Sequence, residues 1–555
     1  MCRVGTWAKQ IGVDIKVLLR GGVPLHAEAA AAQASREVGT IGLGSLLAVI
    51  ALLWLAFRSL RPIVLVSASL LVGCAAGVAV TSLLFGQVHL LTLVFGASLV
   101  GVAEDYGIHY FASRQGQPDK TPRRLMRLLL PGMSLALATS ALAYLALGIA
   151  PFPGLRQMAV FSATGLTAAF LTVVLWFPWL DRGPPRSSDF GRAIAGSLAW
   201  WPRWRPGAAG FAIAALAGLF IAGGLQRLSV NDDLRSLQSS PQALLQQEII
   251  IGQRLGLPSP AQFFLVTGAD TEQLLQAEEA LTARLQPLLE AGHLDGWRAV
   301  SDWLPSAARQ REDARITRLA ETAVLARASD LLGETLSAIP GEPPPLTAMD
   351  WLWQPVSGPI RPLWLGQVGM QWGSVVMLEG LRPAALDELA TLGKALPGVR
   401  WVDRTASISR LLAHYRQMMG WLLLAGYVAV ALALFLRFRG RAWRALLPTV
   451  LAALLSLAAL GWLGVPLQLF GVLAQLLLLG MGVDYGIFLL EHHDDPASWL
   501  AVSLGAASTL LAFGLLALSA TPALHSFGLS LLLGIGLVWM LSPCFRGPSP
   551  ILASH

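Results

Sequence analysis

Charge is scarce in this chain: Asp, Glu, Lys and Arg make up 13% of its 555 residues, where an ordinary soluble protein carries roughly 25%. Cysteine is scarcer. Cys2, Cys74 and Cys544 are odd in number and far apart, which excludes a disulfide framework and a metal-ligand spacing. No GxxxxGK[ST] loop occurs, so ATP is not the energy source. The opening Met-Cys-Arg-Val does not begin the charged, apolar and small-residue succession of a signal peptide. What is abundant is apolar side chain, 55% of the chain. That composition excludes a disordered chain, a fibrous chain and a fully soluble enzyme, and it points to a membrane before any motif is read.

A membrane-spanning helix needs about 20 mostly apolar residues. Eleven stretches qualify, at about 41–57, 63–85, 88–112, 128–150, 158–180, 208–225, 419–436, 445–463, 467–490, 500–519 and 527–541. With the N-terminus outside, the cytoplasmic loops hold Arg58 and Arg61; Arg114, Lys120, Arg123, Arg124 and Arg127; Arg182, Arg186, Arg192, Arg203 and Arg205; and Arg437, Arg439, Arg441 and Arg444. The short loops of the other face hold almost none, Arg156 excepted. This asymmetry orients the chain by the positive-inside rule. It also accounts for 40 basic against 33 acidic residues without nucleic acid as a partner. One loop on the basic side, Glu491-His492-His493-Asp494-Asp495, is acidic. It reads as a solvated turn rather than a metal site.

Residues 226–417 are polar and fall on the extracytoplasmic side. Strand patterns at Ala261–Thr267, Ser374–Gly380 and Val399–Asp403 alternate with helical patterns at Thr271–Glu290 and Pro383–Leu396. A Pro-rich linker, Pro340–Pro345, separates two such units. The pattern predicts an α+β domain of split β-α-β units. Trp351, Trp353, Trp364 and Trp372 read as core or interface anchors before they read as a lipid path. No spaced nucleophile, base and orienter is present, so no enzyme is expected and no catalytic residue, metal site or cofactor is assigned.

The chain also matches itself at an offset of about 370 to 385 residues. Gly101-Val-Ala-Glu-Asp105-Tyr106-Gly107-Ile108 aligns with Gly480-Met-Gly-Val-Asp484-Tyr485-Gly486-Ile487. Phe57-Arg58 aligns with Phe438-Arg439, Pro62 with Pro448, Ala138-Thr139-Ser140 with Ala507-Ser508-Thr509, Pro153 with Pro522 and Gly165 with Gly534. Five helices therefore recur, and the span at 208–225 is left without a partner. Its partner is expected ahead of residue 1, followed by a domain like 226–417. The predicted organisation is 1–38 as the tail of such a domain (strand Val13–Leu19, exit helix Ala27–Glu37), 39–225 as the first membrane bundle with the unpaired helix, 226–417 as the external domain, 418–545 as the second bundle and 546–555 as a cytoplasmic tail.

Three acidic residues lie within the spans: Glu104, Asp105 and Asp484. A carboxylate at a helix centre costs a few kcal/mol on insertion scales, so such residues face a cavity, pair, or carry protons. Asp105 and Asp484 occupy equivalent places, and their flanking glycines permit close helix approach. Each adjoining Tyr can donate a phenolic hydrogen bond. A low dielectric penalises the ionised form, which makes proton uptake accessible near neutral pH. A proton crossing the membrane potential gains about 2.3 kcal/mol per 100 mV, enough to drive a conformational cycle. Glu104 has Val483 as its repeat mate, and His109, one turn beyond Asp105, has Phe488; both are candidate relays. Thr139, Ser140, Ser508 and Thr509 are candidate hydrogen-bond partners of the acids, although span hydroxyls more often bond their own backbone.

These features together resemble the RND superfamily, and more closely its MMPL-type exporters. The segments FGASLVGVAEDYGIHYFASR and LLLLGMGVDYGIFLLEH are similar to a branch of predicted exporters of aryl polyene pigments or lipids. The resemblance implies a polytopic α-helical protein of the bacterial inner membrane, a pseudo-two-fold repeat of bundles of about eleven helices with an α+β extracytoplasmic domain. It further implies proton-driven export of a hydrophobic or lipid-like molecule, with Asp105, Tyr106, Asp484 and Tyr485 relaying protons. Partners implied are the substrate, membrane lipids, protons, and an oligomeric copy or a periplasmic carrier. Two other readings share this architecture: a SecDF-like translocation accessory and a Patched-like lipid sensor.

Overall fold

An apolar run placed in lipid has no water for its backbone, so it folds as helix. The computed structural model describes residues 21–546 except 89–91, 93–99, 150–152, 205–206, 238–239, 256–259, 338–340, 342–343 and 493. The expected strand Val13–Leu19, part of the Pro340–Pro345 linker and the tail beyond 546 lie outside the described residues. The chain divides into two compact units, 1–29 with 240–408 and 30–239 with 409–555.

The second of these units starts at Ala30, partway along helix Val23–Glu37, which runs on through Val38–Gly42 into α1 (Leu43–Phe57). Then come α2 (Leu60–Phe85), α3 (Val100–Gly116), α4 (Pro122–Leu147), α5 (Pro153–Leu180) and α6 (Ala208–Arg227). Arg58 closes α1 in the left-handed region at φ 47° and donates its N–H to Trp54 O at 2.8 Å.

The α+β unit is built from β1 (Gln262–Gly268), α7 (Thr271–Glu290), β2 (Gly296–Arg298), α8 (Ala307–Leu332), β3 (Trp364–Val368), β4 (Gln371–Glu379), α9 (Leu386–Ala395) and β5 (Val399–Asp403). Its main sheet order is β2-β4-β1-β5, with β3 hairpinned onto β4. β4 pairs antiparallel with both β1 and β2, and β1 pairs antiparallel with both β4 and β5. So β1-α7-β2 and β4-α9-β5 are each parallel pairs split by one strand. Residues of β1 alternate in burial, and Phe264, Val266, Leu274, Leu281, Val376, Leu378 and Leu389 fill the core. Trp351 is buried in a side cluster, Trp364 and Trp372 pack on the core, and Trp353 is exposed.

The second bundle comprises α10 (Arg404–Phe438), α11 (Ala442–Trp462), α12 (Leu469–Glu491), α13 (Pro496–Phe513) and α14 (Pro522–Leu541). Arg439, the repeat mate of Arg58, also turns left-handed, at φ 50°. Among the described residues nine stretches are long and apolar enough to cross a membrane, against about eleven expected; one of them, 59 residues long, holds both α10 and α11. The expected span at 88–112 falls partly outside the described residues. Helix packing repeats with the sequence. α2 packs on α5 as α11 packs on α14, α4 on α5 as α13 on α14, and α3 crosses to α13 as α12 crosses to α4.

Glu278 on α7 is fully buried beneath the sheet; it accepts the Ser301 N–H at 2.8 Å and a short hydrogen bond from the Ser374 hydroxyl. Burial pushes its carboxyl up to about 7, against the partial offset of those hydrogen bonds. Between the ordinary carboxylate range and that value the folded unit holds a proton that the unfolded chain has released. Its stabilising contribution is full in acid and is lost as pH rises through about 7. The difference is about 3 kcal/mol. Amide protection factors of β1 and β4, measured in the full chain at pH 5 and pH 8, are expected to fall with rising pH. Glu278→Gln, which can still bond both serines, should flatten that slope.

Candidate functional site

The two repeats meet through α3 and α12, each leaning on a helix of the opposite half. Small residues set the distance. A Cβ on Gly101 would stand 3.0 Å from Ala512 Cβ, and one on Gly480 would stand 3.2 Å from Ala143 Cβ. These four residues are repeat mates, so the two seams are copies of one contact. Across each seam a hydroxyl bonds a helix carbonyl: Thr509 Oγ1 donates to Gly101 O at 3.0 Å, and its mate Ser140 Oγ donates to Gly480 O at 3.3 Å. His109 stacks on Phe488, ring centroids 3.6 Å apart and 21° from parallel. Those two residues are also mates, so the pseudo-two-fold axis passes between them.

Asp105 and Asp484 lie at this junction and interact electrostatically with one another. Asp484 is buried and cradled: Thr139 Oγ1 is 3.2 Å from its Oδ1, and Ser140 Oγ is 3.2 Å from its Oδ2. Among the described residues no pair of hydroxyls cradles Asp105. Its Oδ1 is enclosed without a hydrogen-bond partner, against the bare backbone of Gly505, where a Cβ would approach to 2.8 Å. Ser508, the mate of Thr139, instead donates to Gly505 O at 2.9 Å and lies beside Glu104. Glu104 is 2% exposed, so it points into the bundle and not to the headgroups.

The tyrosines cross over. Tyr106 lies in the electrostatic field of Asp484, and Tyr485 in that of Asp105. Both rings are buried, Tyr106 edge-on to Phe170 at 5.5 Å; the Tyr106 hydroxyl is enclosed without a hydrogen-bond partner among the described residues, and the Tyr485 side chain lies beside Thr509. Sequence reading missed Tyr144 on α4, whose enclosed hydroxyl also lacks a partner and whose ring lies near Asp484 and Tyr106. Its repeat mate is Phe513, so the internal alignment carried no signal there.

The hydroxyls at Asp484 have more acceptors than protons. Thr139 Oγ1 also reaches Leu135 O at 3.1 Å and Ala136 O at 3.0 Å. A neutral Asp484 can donate its one proton to either hydroxyl, which then turns to a carbonyl, while its other oxygen still accepts from the second; an ionised one can accept from both. Both protonation states are thus satisfied by rotating two C–O bonds.

The acidic loop proves to be structural where described. Asp494 accepts a short hydrogen bond from Arg203 and one from Arg546 Nε at 3.1 Å. Burial opposes its ionisation, but the two arginines outweigh burial and hold the carboxyl below its ordinary range. Asp495 caps α13 through the N–H groups of Ala497 and Ser498. Among the described residues no three His, Cys, Asp or Glu side chains gather as a metal site requires.

Residues 4–204 match the model of the MMPL family. Over 185 residues, 31% of this chain, it is 24% identical to a hopanoid transporter, HpnN, of Rhodopseudomonas palustris (strain TIE-1). Over 155 residues, 26% of the chain, it is 30% identical to the HpnN of Burkholderia multivorans. The matched stretch spans only 21% and 18% of those relatives. In fold, the chain is similar over 93% of its length to SecDF of Thermus thermophilus, covering 61% of that chain at TM-score 0.51 and 15% identity. It is similar over 93% of its length to a heavy metal efflux pump, covering 68% of that chain at TM-score 0.50 and 13% identity.

A methyl on Gly486 would collide with the Ala445 carbonyl, backbone against backbone, whereas one on Gly536 meets nothing within 4 Å. Gly486→Ala is expected to cost about 1–3 kcal/mol by overpacking α12 on α11. Gly536→Ala should be near neutral. Thermal unfolding of both variants in detergent checks the contrast.

Proposed function

We propose that this chain, of the MMPL family by its residues 4–204 and so of the RND superfamily, works in a bacterial inner membrane as a proton-driven exporter of a hydrophobic, lipid-like molecule. The observation that carries the proposal is the reversible cradle at Asp484, where two hydroxyls can serve as donors or acceptors. A helix-tying acid needs one protonation state; a carrier must be tolerated in both. Asp105 is the second seat, and its electrostatic contact with Asp484 disfavours two charges at once. Tyr106 and Tyr485 supply hydroxyls between the seats, and Tyr144 joins them as a third. Glu104 and His109 are the outlying relay candidates. Buried polar groups without protein partners are commonly served by internal water, which suits a path for protons. For the cargo, the two HpnN relatives favour a lipid over an aryl polyene pigment. The α+β unit is the natural place for cargo.

Asp105→Asn and Asp484→Asn keep the shape of each side chain and remove its titration. In proteoliposomes carrying a pH-sensitive dye, each variant is expected to lose proton flux by about tenfold or more, by analogy with the loss of a required general acid or base. In cells each should stop lipid or pigment delivery to the outer membrane. Flux at the wild-type level in both variants would overturn the proton role. Delivery preserved with a signalling defect would favour a sensor.

A further inference from the structure

The basic end of the helical unit has a cavity that none of Glu104, Asp105, Asp484 or their tyrosines lines. It encloses about 320 Å³ between α4, the end of α10 and the end of α12. Leu128, Pro131, Phe438 and Leu490 form its apolar wall; Arg437, Arg441, Glu491 and His492 form its polar wall. Leu128 on α4 is half-exposed, and Phe435 and Leu436 near the end of α10 are exposed. The cavity is therefore apolar toward its helix walls and cationic toward the end of the bundle.

Its charges are unevenly satisfied. Glu491 binds Arg437 at 3.0 Å and is wedged against the backbone of Gly132. That leaves Arg441, an exposed guanidinium on the turn between α10 and α11, with no anion bonded to it among the described residues. His492 Nδ1 is enclosed and has no hydrogen-bond partner among the described residues. One carboxylate thus faces two guanidiniums and an imidazole with an unused ring nitrogen. The nearest counterpart in the first repeat is different. It is lined by Phe57, Arg61, Arg114 and Asp181, among others, and encloses about 30 Å³. Arg61 and Arg114 there are already paired with Asp181, at 3.3 and 3.4 Å. The repeat mates of Arg437 and Arg441 are Ala56 and Leu60. The first half closes its basic cluster with its own carboxylate; the second half leaves room for an outside anion.

We propose that this cavity holds the phosphate headgroup of an anionic membrane phospholipid, with Arg441 and His492 as donors and the Leu128–Phe438 wall against the acyl chains. Basic pockets between helices at a membrane face bind such headgroups. The position matters because α12 carries Asp484 seven residues before Glu491. A lipid seated there braces the end of the helix that bears the cradled acid. The binding claim stands apart from the export proposal, since it is read without any transport measurement.

The test is native mass spectrometry of the full chain in detergent, titrated with phosphatidylglycerol, phosphatidylcholine or inorganic phosphate. Phosphatidylglycerol should be retained over phosphatidylcholine, and inorganic phosphate should not displace it at equal concentration. Arg441→Ala with His492→Ala should weaken retention about tenfold for each donor removed. Glu491→Gln, which frees Arg437, should tighten it. Arg124→Ala, at the same end of α4 but outside the cavity, should leave it unchanged, and unchanged melting points exclude misfolding. Equal retention of both lipids, or wild-type retention in the double variant, overturns the proposal. Displacement by inorganic phosphate overturns its assignment to a lipid.

Discussion

Everything at the centre of this molecule depends on how closely two pairs of helices approach. Lipid gives apolar helices no reason to prefer each other, so their association rests on packing and on bonds across the seam. Gly101 against Ala512 and Gly480 against Ala143 bring the backbones near enough for Thr509 and Ser140 to reach carbonyls of the opposite half. A larger residue at either glycine would lift the hydroxyl away from the carbonyl and, in the second seam, away from Asp484. Asp484 is held by the same contact that joins the two halves.

Much of this was legible because lipid makes the code coarse. A run of about 20 apolar residues has one structural outcome, and internal duplication supplied the correspondence of helices without any structure. The strands of the α+β unit were legible by alternation, and Thr271–Glu290 and Val399–Asp403 fold with the bounds their patterns suggest. Other parts left no such mark. α8 buries none of its 26 residues, so it shows no apolar face to read; it is held at its start by Ser306 and by Glu272, which accepts the Ala307 N–H at 2.7 Å. β3 is short and mostly exposed, and exists because β4 offers it an edge. At the site, Asp105, Asp484 and their tyrosines stood out by repetition. Tyr144 did not, because the duplication has diverged there.

Divergence between the halves is selective. The left-handed arginines at 58 and 439 have been kept at the same turn. A non-glycine residue in that region costs of order 1 kcal/mol, so what persists is geometry that ends one helix and aims the next. Side chains around the acids have drifted instead. Val483 stands where the other half has Glu104, Phe488 where it has His109, and Gly505 where the other half has Ala136.

That drift bears on direction. A machine with two identical seats for one proton would have no preferred order of filling. Here one seat is lined by rotatable hydroxyls and the other by bare glycine backbone with a neighbouring glutamate. In the proton path proposed above, the two stations would be unequal, and that inequality would set the order in which they fill.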